Sequence, residues 1–594
     1  MNYQEVIKHN ATLKQICFEH KYRFLKHHDF VNRLLTERGL YEECIPHGSE
    51  SNYVVTLIVL VEDLVESDLQ VTIELWGLQT CPYINCRIIP VGKCNKKELH
   101  EWLSDKYITS TLDVSLITGS NPWEGIASDY VLFAKPGDIL HPSLATVLSL
   151  YQKNNPDIVT FNYQHVSDMG KKPELFCRQA GYERYSIFHV NYIGLSFAVR
   201  TSVIKEYPGH LIDEVYHNDG HLFHIWAFDV SELSCVPHPE YLYLKSINNL
   251  GNSHLKYINN KERYKKYFAK YQDEYNFISL DCVDQPYRLE PNIDDFSVSI
   301  IIPFKDKADM TCTCVDSVLA QSINGGVEVV LINNNSSNES LDIINKYISK
   351  NKNKEINIKI INYNHPFNHS RQCNLGIKQS TGDVVVFLNN DAVLKGSEAL
   401  NILSRWALVD GIGTVGGRVV SKKGAIVSTG LRARLNAGFD YSSGIEESTD
   451  ALYSKSIKEI LGNTFACSAV SRTVLKDVGD LNEREFPNGY NDIDYNLRVS
   501  EKGYKNLYVG QVEIIHNPGT SRGRCDEVLQ KILIRKRYPE LAFKSLYQLG
   551  SDDHLLQRYV KLSNNISLHD DKVTSGKYMV RTLLLSIKNK LISK

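Results

Sequence analysis

Three polar residues directly after an apolar run are the clearest candidates for chemistry in this sequence. Asn389, Asn390 and Asp391 follow the run 384–388, which is itself preceded by a turn at 380–382. A short apolar run in this setting is typical of an interior strand of a parallel sheet, and ligands bind beyond the carboxyl ends of such strands. One carboxylate flanked by amides suits a divalent cation that also contacts a diphosphate. The alternative is an ordinary Asn/Asp turn.

Two further acidic residues stand at the predicted start of a helix. Asp492 and Asp494 follow Asn491 and precede a segment of amphipathic helical spacing. Carboxylates in a first helical turn are stabilised by the helix dipole, so one interpretation is structural and the other is a general base. His516 ends another apolar run, where it could be a hydrogen-bonded structural residue or a metal ligand.

Polar residues also follow two neighbouring strands of the same region. With the strand end at 389–391, the ends at 303–306 and 333–335 make three polar strand ends in succession. One such end is common, but three in succession are not, so the pattern favours a nucleotide-binding site. A predicted helix start adds Arg371 and Asn374, a cation and an amide suited to phosphate. For Arg371 alone, the alternative is a solvated arginine at a helix start.

The elements that must position these residues alternate between strand-like and helical segments. This alternation predicts parallel sheets with crossover helices, which is an α/β fold. Both halves of the chain begin with the same order of elements, which predicts a tandem pair of domains. The clearest predicted strands are 53–61, 86–91, 130–134, 158–163, 298–303, 327–332, 357–361 and 383–388, and three predicted helices are 310–321, 340–349 and 370–379.

Changes in composition suggest where the domains begin and end. A stretch with two prolines and little periodicity reads as a linker between the two halves. The predicted organisation is an N-terminal helical segment at 1–45, a first α/β domain at 46–285, a linker at 286–296, a second α/β domain at 297–550 and a C-terminal helical tail at 551–594.

The composition is that of an ordinary globular protein. Of 594 residues, 42% are hydrophobic and 23% charged, and a net charge of -2 argues against a nucleic-acid partner. The 13 cysteines lack zinc spacing, and such an odd, unpatterned set favours a reducing compartment. Because the N-terminus lacks the apolar core of a signal peptide and no apolar run approaches ~18 residues, we expect a cytoplasmic protein.

The last segment of the chain, 573–594, combines basic and apolar residues at helical spacing. No acidic residue follows Asp571. Such a basic amphipathic helix can lie on an anionic membrane surface, which predicts a peripheral association with the inner face of the cell membrane. Packing against its own domain or a partner is the alternative.

Taken together, the order and spacing of these motifs resemble one known family. They resemble the inverting family-2 glycosyltransferases with the GT-A fold, in the bacterial branch that makes O-antigen, lipopolysaccharide and capsule polysaccharides. The resemblance covers about residues 297–530 and implies GT-A-like, Rossmann-related domains with mostly parallel sheets. The motifs that carry it are 299–303, 331–337, 371–374, 382–391, 491–498 and 516–523.

The resemblance implies a role for each candidate residue. Asp492 is then the catalytic base of a single displacement, and Asp391 with His516 holds Mg²⁺ or Mn²⁺, of which Mn²⁺ is the better match to an imidazole. The implied donor-binding residues are Pro303, Arg371, Asn374, Asp391, Asn333 and Asn334 beside the pyrimidine, and Asn390 beside the ribose; the implied acceptor or phosphate contacts are Asn491, Asp494 and Arg522.

The implied reaction moves a sugar from a UDP- or dTDP-linked donor to a glycan or lipid-linked glycan, as a hexosyltransferase or a rhamnosyltransferase. Asparagines replace several acidic residues of the family pattern, so the sugar stays open. A sugar nucleotidyltransferase would need a Gly-rich phosphate loop, which 303–306 lacks. A non-catalytic carbohydrate-binding or scaffold protein is the alternative from another class, and in it Asp391 and Asp492 would be dispensable.

The first α/β domain resembles the same fold in weaker form. Strand 130–134 leads to Asp138, and Asp219 lies where the base motif is expected. However, strand 86–91 ends without an Asp or Asn for a pyrimidine, and Lys135 stands in place of a metal-site acid. These departures predict a degenerate domain that serves acceptor binding or assembly. The alternative is a second active transferase that uses Asp138 and Asp219.

Overall fold

The computed structural model divides the chain into two compact α/β units, with the boundary between Tyr264 and Lys265. The predicted α/β fold is confirmed in both. The N-terminal segment 1–45, the tail 551–594 with its predicted amphipathic helix, and Arg522 lie outside the described residues. The structure describes residues 53–538 except 78, 80, 108–111, 120, 142–143, 152–154, 168–171, 178–181, 190, 231, 247–260, 281–286, 324, 352–355, 435–437, 442–454 and 517–527.

The first unit alternates strands and helices as its apolar pattern predicts. Its strands are β1 (Tyr53–Val61), β2 (Ile84–Pro90), β3 (Asp113–Leu116), β4 (Ser128–Ala134), β5 (Ile139–Leu140), β6 (Ile158–Ser167), β7 (Lys172–Cys177), β8 (Phe197–Arg200) and β9 (Cys235–Ser246). Its helices are α1 (Glu66–Trp76), α2 (Lys96–Tyr107), α3 (Leu144–Tyr151), α4 (Arg184–His189), α5 (Thr201–Glu206), α6 (Leu211–Asn218) and α7 (His221–Asp229), and α8 (Lys261–Phe268) contains the boundary between the units.

One sheet forms the centre of the first unit. Its strand order is β3-β2-β1-β4-β8-β6-β9-β5, and β7 pairs with β6. The strands β3, β2, β1 and β4 run parallel, whereas β8 is antiparallel to both of its neighbours. The sheet is therefore parallel on one side and mixed on the other.

Within the part of the chain that the structure describes, the second unit has more strands than the first. They are β10 (Tyr275–Ser279), β11 (Tyr287–Pro291), β12 (Val298–Phe304), β13 (Val327–Asn333), β14 (Ile356–Asn362), β15 (Val384–Leu388), β16 (Ala392–Leu394), β17 (Ile412–Val420), β18 (Ile426–Ser428), β19 (Leu431–Arg434), β20 (Gly438–Tyr441), β21 (Ile457–Ile460), β22 (Cys467–Ser471) and β23 (Lys505–His516). Its helices are α9 (Ala308–Leu319), α10 (Asn338–Lys350), α11 (His369–Lys378), α12 (Ala399–Ala407), α13 (Arg472–Val478), α14 (Asn491–Glu501) and α15 (Val528–Arg537).

The main sheet of the second unit repeats the topology of the first. Its order is β14-β13-β12-β15-β22-β17-β23-β16, which is the same succession when the strands are counted from β12 and the additional strands β19, β20 and β21 are left out of the count. The directions also agree: β14, β13, β12 and β15 run parallel, and β22 is antiparallel to β15 and β17. This agreement supports the predicted tandem pair of related domains.

One strand of a small hairpin, β11, lies within the predicted linker 286–296, and the other, β10, lies within the predicted first domain. Strand β11 pairs antiparallel with β10, and the Tyr287 ring stacks on Phe277 at 5.0 Å. Beyond it, Arg405 of α12 donates to the Ile293 carbonyl and pairs with Asp294. Of the two prolines that suggested an irregular linker, Pro286 lies outside the described residues, and Pro291 is the last residue of β11, which as an edge strand tolerates proline.

Helix α11 lies unusually close to strand β12. A Cβ atom added to Gly376 would lie 2.4 Å from Ile301 Cγ2, so only glycine allows this approach. The N-terminal turn of α11 is therefore held at the carboxyl end of the sheet. On the same layer, Phe387 stacks on Phe465 at 4.6 Å, and Phe465 contacts Tyr495 of α14. These contacts position α14 against β15.

No helix among the described residues is long and apolar enough to cross a membrane. The cysteines that the structure describes are all free thiols. The predicted compartment and the predicted membrane association stay predictions.

A half-buried carboxylate at the amino end of the second sheet should make folding sensitive to acid. Burial raises the pKa of Glu328, but hydrogen bonds from Ser299 and Thr381 and the Lys359 ammonium outweigh this and lower it to about 2. The pKa of Glu328 is lower in the folded state than in the unfolded state, where it is about 4.3, so the ionised carboxylate stabilises the fold above that pH. This stabilisation is lost as the pH falls towards the pKa of the folded state. We expect Glu328→Gln to lower stability at pH 7 by on the order of 1 kcal/mol, allowing for solvent screening.

Thermal unfolding of the full chain measures this effect. The difference between wild type and Glu328→Gln should shrink between about pH 4.5 and pH 2. The exposed Asp410→Asn serves as the control for a lost surface charge. Equal stability of Glu328→Gln and wild type at pH 7 would refute the prediction.

Candidate active site

The polar strand ends predicted from the sequence meet at one edge of the second sheet. Strands β12, β13 and β15 run parallel, with Phe304 opposite Asn333 and Ile301 opposite Phe387. Their carboxyl ends therefore open on the same side. The backbone bends sharply there, because Asp306 has a left-handed φ of 51°. Such a conformation costs a non-glycine residue free energy and is held by its surroundings: Asp306 accepts from Ser337 N–H at 2.7 Å.

The structure brings together the two predicted metal ligands. Strand β16 pairs antiparallel with β23, and this register places Ala392 opposite His516. As a result, His516 Nε2 lies 3.2 Å from Asp391 Oδ1, with the two side chains 13% and 3% exposed. A carboxylate and an imidazole are both suitable ligands for a divalent cation.

The number of protein ligands limits what this pair could hold. Within the described residues, no group of three or more His, Cys, Asp or Glu side chains could hold a metal ion. Two protein ligands fit Mg²⁺ or Mn²⁺, since Mg²⁺ keeps several waters and is usually held by one or two carboxylates together with substrate phosphates. They do not fit a closed structural zinc site, which needs four.

The predicted base, Asp492, lies at the same edge as Asp391. Its Oδ2 accepts from Phe465 N–H at 3.4 Å, and the next residue, Ala466, accepts from Asn389 N–H at 3.0 Å. The dipeptide Phe465-Ala466 therefore connects Asp492 with the turn that carries Asp391. Within residues 491–497, Asp492 is the only residue that is not buried. Asp492 is therefore the more accessible of the two carboxylates in this motif, and its role as a base stays a prediction.

A buried polar network beneath α14 fixes the backbone of Asp492. Asn496 Nδ2 donates to the Asp492 carbonyl at 2.6 Å and to the Asn463 carbonyl at 2.8 Å. Its Oδ1 accepts from Thr414 Oγ1 at 2.5 Å and from Asn463 N–H at 3.0 Å. Sequence reasoning missed these residues, and neither asparagine stands in a pattern that distinguishes it from a surface residue.

The two asparagines predicted to contact a pyrimidine are buried at the edge of the sheet where the carboxyl ends of β12, β13 and β15 meet, which we call the opening. Asn333 donates to Asn362 Oδ1 at 2.9 Å and accepts from Ser336 N–H at 3.0 Å. Asn334 donates to the His365 carbonyl at 2.9 Å. These bonds shape the loops around the opening, and a direct contact with a nucleobase stays a prediction.

Two other predicted donor contacts lie close to the carboxyl ends of β12 and β15. Pro303 is half-buried one residue before the end of β12. Asn390 is buried, and its Nδ2 donates to Thr311 Oγ1 of α9 at 3.2 Å. This bond fixes the turn between β15 and β16, on which the position of Asp391 depends.

Arg371 and Asn374, predicted to contact a phosphate, are joined to a single acidic residue. Arg371 Nε donates to Glu483 Oε1 at 3.1 Å, and Asn374 Nδ2 lies 3.3 Å from Glu483 Oε2. Burial raises the pKa of Glu483, but these hydrogen bonds outweigh it and lower the pKa. Arg371 is 48% exposed, so a phosphate could still reach its guanidinium. The phosphate contact stays a prediction.

The two carboxylates of the Asn491–Asp494 motif have different environments. Asp494 is fully buried and pairs with Arg498 Nε at 3.0 Å and Arg537 Nη1 at 2.9 Å. The bond to Arg537 ties α14 to α15. Asp494 thus stabilises the fold, and the predicted acceptor contact would require its two arginines to give way. Asn491 is also buried and donates to His369 Nδ1 at 2.8 Å.

In the first unit, the counterpart of Asp391 is Asp138, which has a structural role in the core. Asp138 precedes β5 as Asp391 precedes β16. Its carboxylate is fully buried and accepts from Lys135 N–H at 3.0 Å and from the Tyr243 hydroxyl at 2.8 Å. Asp138 is thereby engaged in holding its own turn.

Backbone pairing also identifies the counterpart of His516. The first residue of β5, Ile139, pairs with Leu244, whereas the first residue of β16, Ala392, pairs with His516. Leucine offers no metal ligand. The first unit therefore lacks the imidazole of the predicted metal site.

The second candidate carboxylate of the first unit faces a lysine. Lys135 Nζ lies 2.5 Å from Asp219 Oδ1, and both side chains are largely buried. In addition, the second residue of α7 is Leu222, whereas the second residue of α14 is Asp492. An ammonium group thus neutralises Asp219, and helix α7 carries no acid at the position of the predicted base.

A tyrosine closes over the strand ends of the first unit. The Tyr216 hydroxyl donates to Glu62 Oε1 at 2.7 Å, just beyond β1. A Cβ atom on Gly92, just beyond β2, would lie 2.3 Å from the same hydroxyl oxygen. In the second unit, the corresponding edge carries the asparagines predicted to face a nucleobase.

Comparison with known proteins assigns a family to part of the chain. Residues 299–479 match Glycosyl transferase family 2. This segment is a bacterial family-2 glycosyltransferase domain. The resemblance inferred from the motifs is confirmed, and the family-2 match includes Asp391 but ends before Asp492 and His516.

The curated relatives are much longer than the part that matches. The O-antigen biosynthesis protein RfbC of Myxococcus xanthus is 30% identical over 236 residues, which are 39% of this chain and 18% of that protein. The poly(ribitol-phosphate) beta-glucosyltransferase of Bacillus spizizenii is 31% identical over 104 residues, 17% of this chain and 16% of that protein. The matched part is thus less than a fifth of either relative.

Solved structures show only distant likeness. GalNAc-T7 with UDP, GalNAc and Mn²⁺ has a TM-score of 0.34 at 12% identity, over 49% of this chain and 58% of that chain. TarS 1-349 of S. aureus in complex with UDP-GlcNAc has a TM-score of 0.28 at 15% identity, over 39% of this chain and 61% of that chain.

Proposed function

We propose that this chain is an inverting glycosyltransferase that moves a sugar from a nucleotide-diphosphate sugar to a hydroxyl of a cell-surface polysaccharide or lipopolysaccharide. The observation that carries the proposal is the Phe465-Ala466 dipeptide, which binds Asp492 on one side and the turn before Asp391 on the other. The names of the two curated relatives support this class of product, since both concern surface polymers.

In the proposed reaction, Asp492 acts as the general base. Its carboxylate takes the proton of the acceptor hydroxyl while that oxygen attacks the anomeric carbon. The bond between this carbon and the diphosphate breaks in the same step, so the configuration inverts. Asp492 suits this role because it alone in the first two turns of α14 is accessible, and because buried bonds fix its backbone.

Asp391 and His516 would hold the divalent cation of the donor complex. When bound, such an ion neutralises the charge that develops on the leaving diphosphate. The imidazole makes Mn²⁺ a better match than Mg²⁺. Because backbone pairing between β16 and β23 brings the two ligands together, the fold orients both before a donor arrives.

The donor can be identified by a ligand screen with the full chain. We expect one UDP- or dTDP-linked sugar to raise the melting temperature when Mn²⁺ or Mg²⁺ is present, and to be hydrolysed slowly without acceptor. A ligand at about 100 times its dissociation constant adds about 2.7 kcal/mol of stability, which is measurable. If none of the nucleotide sugars stabilises the protein with either metal, the proposed function fails, and a carbohydrate-binding scaffold becomes the better interpretation.

We further propose that the first unit is degenerate and binds no nucleotide sugar. The Lys135–Asp219 pair, the buried Asp138 and the Leu244 position support this. Calorimetry should then give one nucleotide per chain, and Asp219→Asn should leave the stoichiometry unchanged. Two nucleotides per chain, with one lost in Asp219→Asn, would instead indicate a bifunctional transferase.

A further inference from the structure

The segment that leads to the predicted base has little regular structure of its own. Residues 481–490 form only turns and bends before α14 begins. Tyr490, the last of them, has a left-handed φ of 61°, a conformation that must be imposed by surrounding contacts. The start of α14, and with it Asp492, therefore depends on what holds this segment.

The first turn of α11 supplies those contacts. It reaches across to the segment through both side-chain and backbone groups. These bonds include Asn368 Nδ2 to the Glu483 carbonyl at 2.9 Å, Ser370 Oγ to the Phe486 carbonyl at 2.5 Å, and His369 N–H to Asn488 Oδ1 at 3.4 Å.

One contact of this set reaches Asp492 through a single intermediate. The imidazole of His369 is buried, and its Nδ1 lies 2.8 Å from Asn491 Nδ2. Asn491 Oδ1 accepts from Asp492 N–H at 3.0 Å, which fixes the orientation of the amide. Asn491 Nδ2 must therefore donate, and His369 Nδ1 must accept.

From this chain of contacts, we propose that His369 is a positioning residue for Asp492 and acts through Asn491. The imidazole accepts a hydrogen bond from the Asn491 amide, and this amide accepts one from the backbone N–H of Asp492. Together these two bonds fix the orientation of Asp492 in the first turn of α14. This inference rests on the proposed function, because it assigns Asp492 the role of base. His369 itself contacts neither of the two predicted metal ligands among the bonds described above.

The test compares two substitutions of His369. His369→Leu keeps an apolar group of similar size but removes the acceptor, and His369→Asn offers an amide oxygen close to the position of Nδ1. We expect His369→Leu to lower kcat about 10- to 100-fold, as a small misplacement of a catalytic group does, with nucleotide-sugar affinity unchanged. His369→Asn should restore most of the rate.

Two further measurements separate positioning from folding and from the function itself. Ser299→Ala removes a buried hydrogen bond at the opposite end of the sheet and should lower the melting temperature without lowering kcat. Hydrogen exchange at the amides of 488–492 should accelerate in His369→Leu, and this readout needs no transfer reaction.

The outcomes are distinguishable. The proposal would be overturned if His369→Leu kept both the wild-type kcat and the wild-type rate of hydrogen exchange. It would also be overturned if His369→Asn failed to restore the lost rate. A parallel loss of nucleotide-sugar affinity in His369→Leu would overturn it as well. An inactive wild type would count against the proposed function. In that case, hydrogen exchange at the amides of 488–492 would by itself test whether His369 positions the start of α14.

Discussion

Asp492→Asn is expected to abolish sugar transfer and to leave nucleotide-sugar binding intact. Asparagine has the size of aspartate, and its Oδ1 can still accept from the N–H of Phe465 or Ile493, but it cannot take a proton from a hydroxyl. A positioned general base is worth about 10²- to 10⁴-fold in rate, so kcat should fall by that factor. Steady-state transfer assays and calorimetry with the donor measure the two quantities separately.

The neighbouring carboxylate provides the matched control. Asp494 has the same side chain two residues away, but it is buried between Arg498 and Arg537. Asp494→Asn should therefore lower the melting temperature, because two buried ion pairs are weakened, and should retain transfer. Full activity of Asp492→Asn would rule out Asp492 as the base, and a complete loss in Asp494→Asn with a normal melting temperature would reverse the two roles.

Asp391→Ala is expected to remove metal-dependent binding of the donor. The substitution deletes one of two predicted protein ligands, and His516 alone cannot hold a hard cation well. Loss of an outer-shell partner already costs about 10- to 100-fold in metal affinity, so loss of a direct ligand should cost at least that much. Calorimetric titration with the donor, with and without Mn²⁺, measures the effect.

The control for Asp391→Ala is an acid from the other end of the same strand. Asp383 immediately precedes β15 and accepts from the Ser297 hydroxyl and N–H, far along the strand from the opening. Asp383→Asn should alter stability and leave the metal dependence of binding unchanged. A chelator should reduce donor binding by the wild type to the level of Asp391→Ala. Donor binding that is equally tight in Asp391→Ala with Mn²⁺ present would eliminate the metal site.

The fold was largely predictable because strands buried on both faces leave continuous apolar runs. The run Val384–Leu388 is fully buried between β12 and β22, and it begins within one residue of its predicted position. The direction of β8 and β22 was not predictable, because an apolar run carries no information on whether its neighbours run parallel or antiparallel. Strand β11 was missed for a different reason, because the prolines at 286 and 291 indicated an irregular linker.

The candidate site was predictable where a residue directly follows a strand and not where it depends on a distant partner. Asp391 ends such a strand, and its meeting with His516 follows from the pairing of β16 with β23. The Glu483 partner of Arg371 lies in an irregular segment with no periodic signal. Which of Asp492 and Asp494 is accessible was equally open in the sequence, since both suit a first helical turn.

By itself, the sequence determined the α/β class, the alternation of strands and helices and the resemblance of about residues 297–530 to family-2 glycosyltransferases, because apolar periodicity and residue spacing are local properties of the chain. Only the tertiary structure decided which carboxylates are available. Burial between two arginines assigns Asp494 to the fold, and a lysine neutralises Asp219. Contact with Phe465 places Asp492 at the opening. These differences arise from partners far apart in sequence, and the charge and accessibility of a carboxylate depend on such partners.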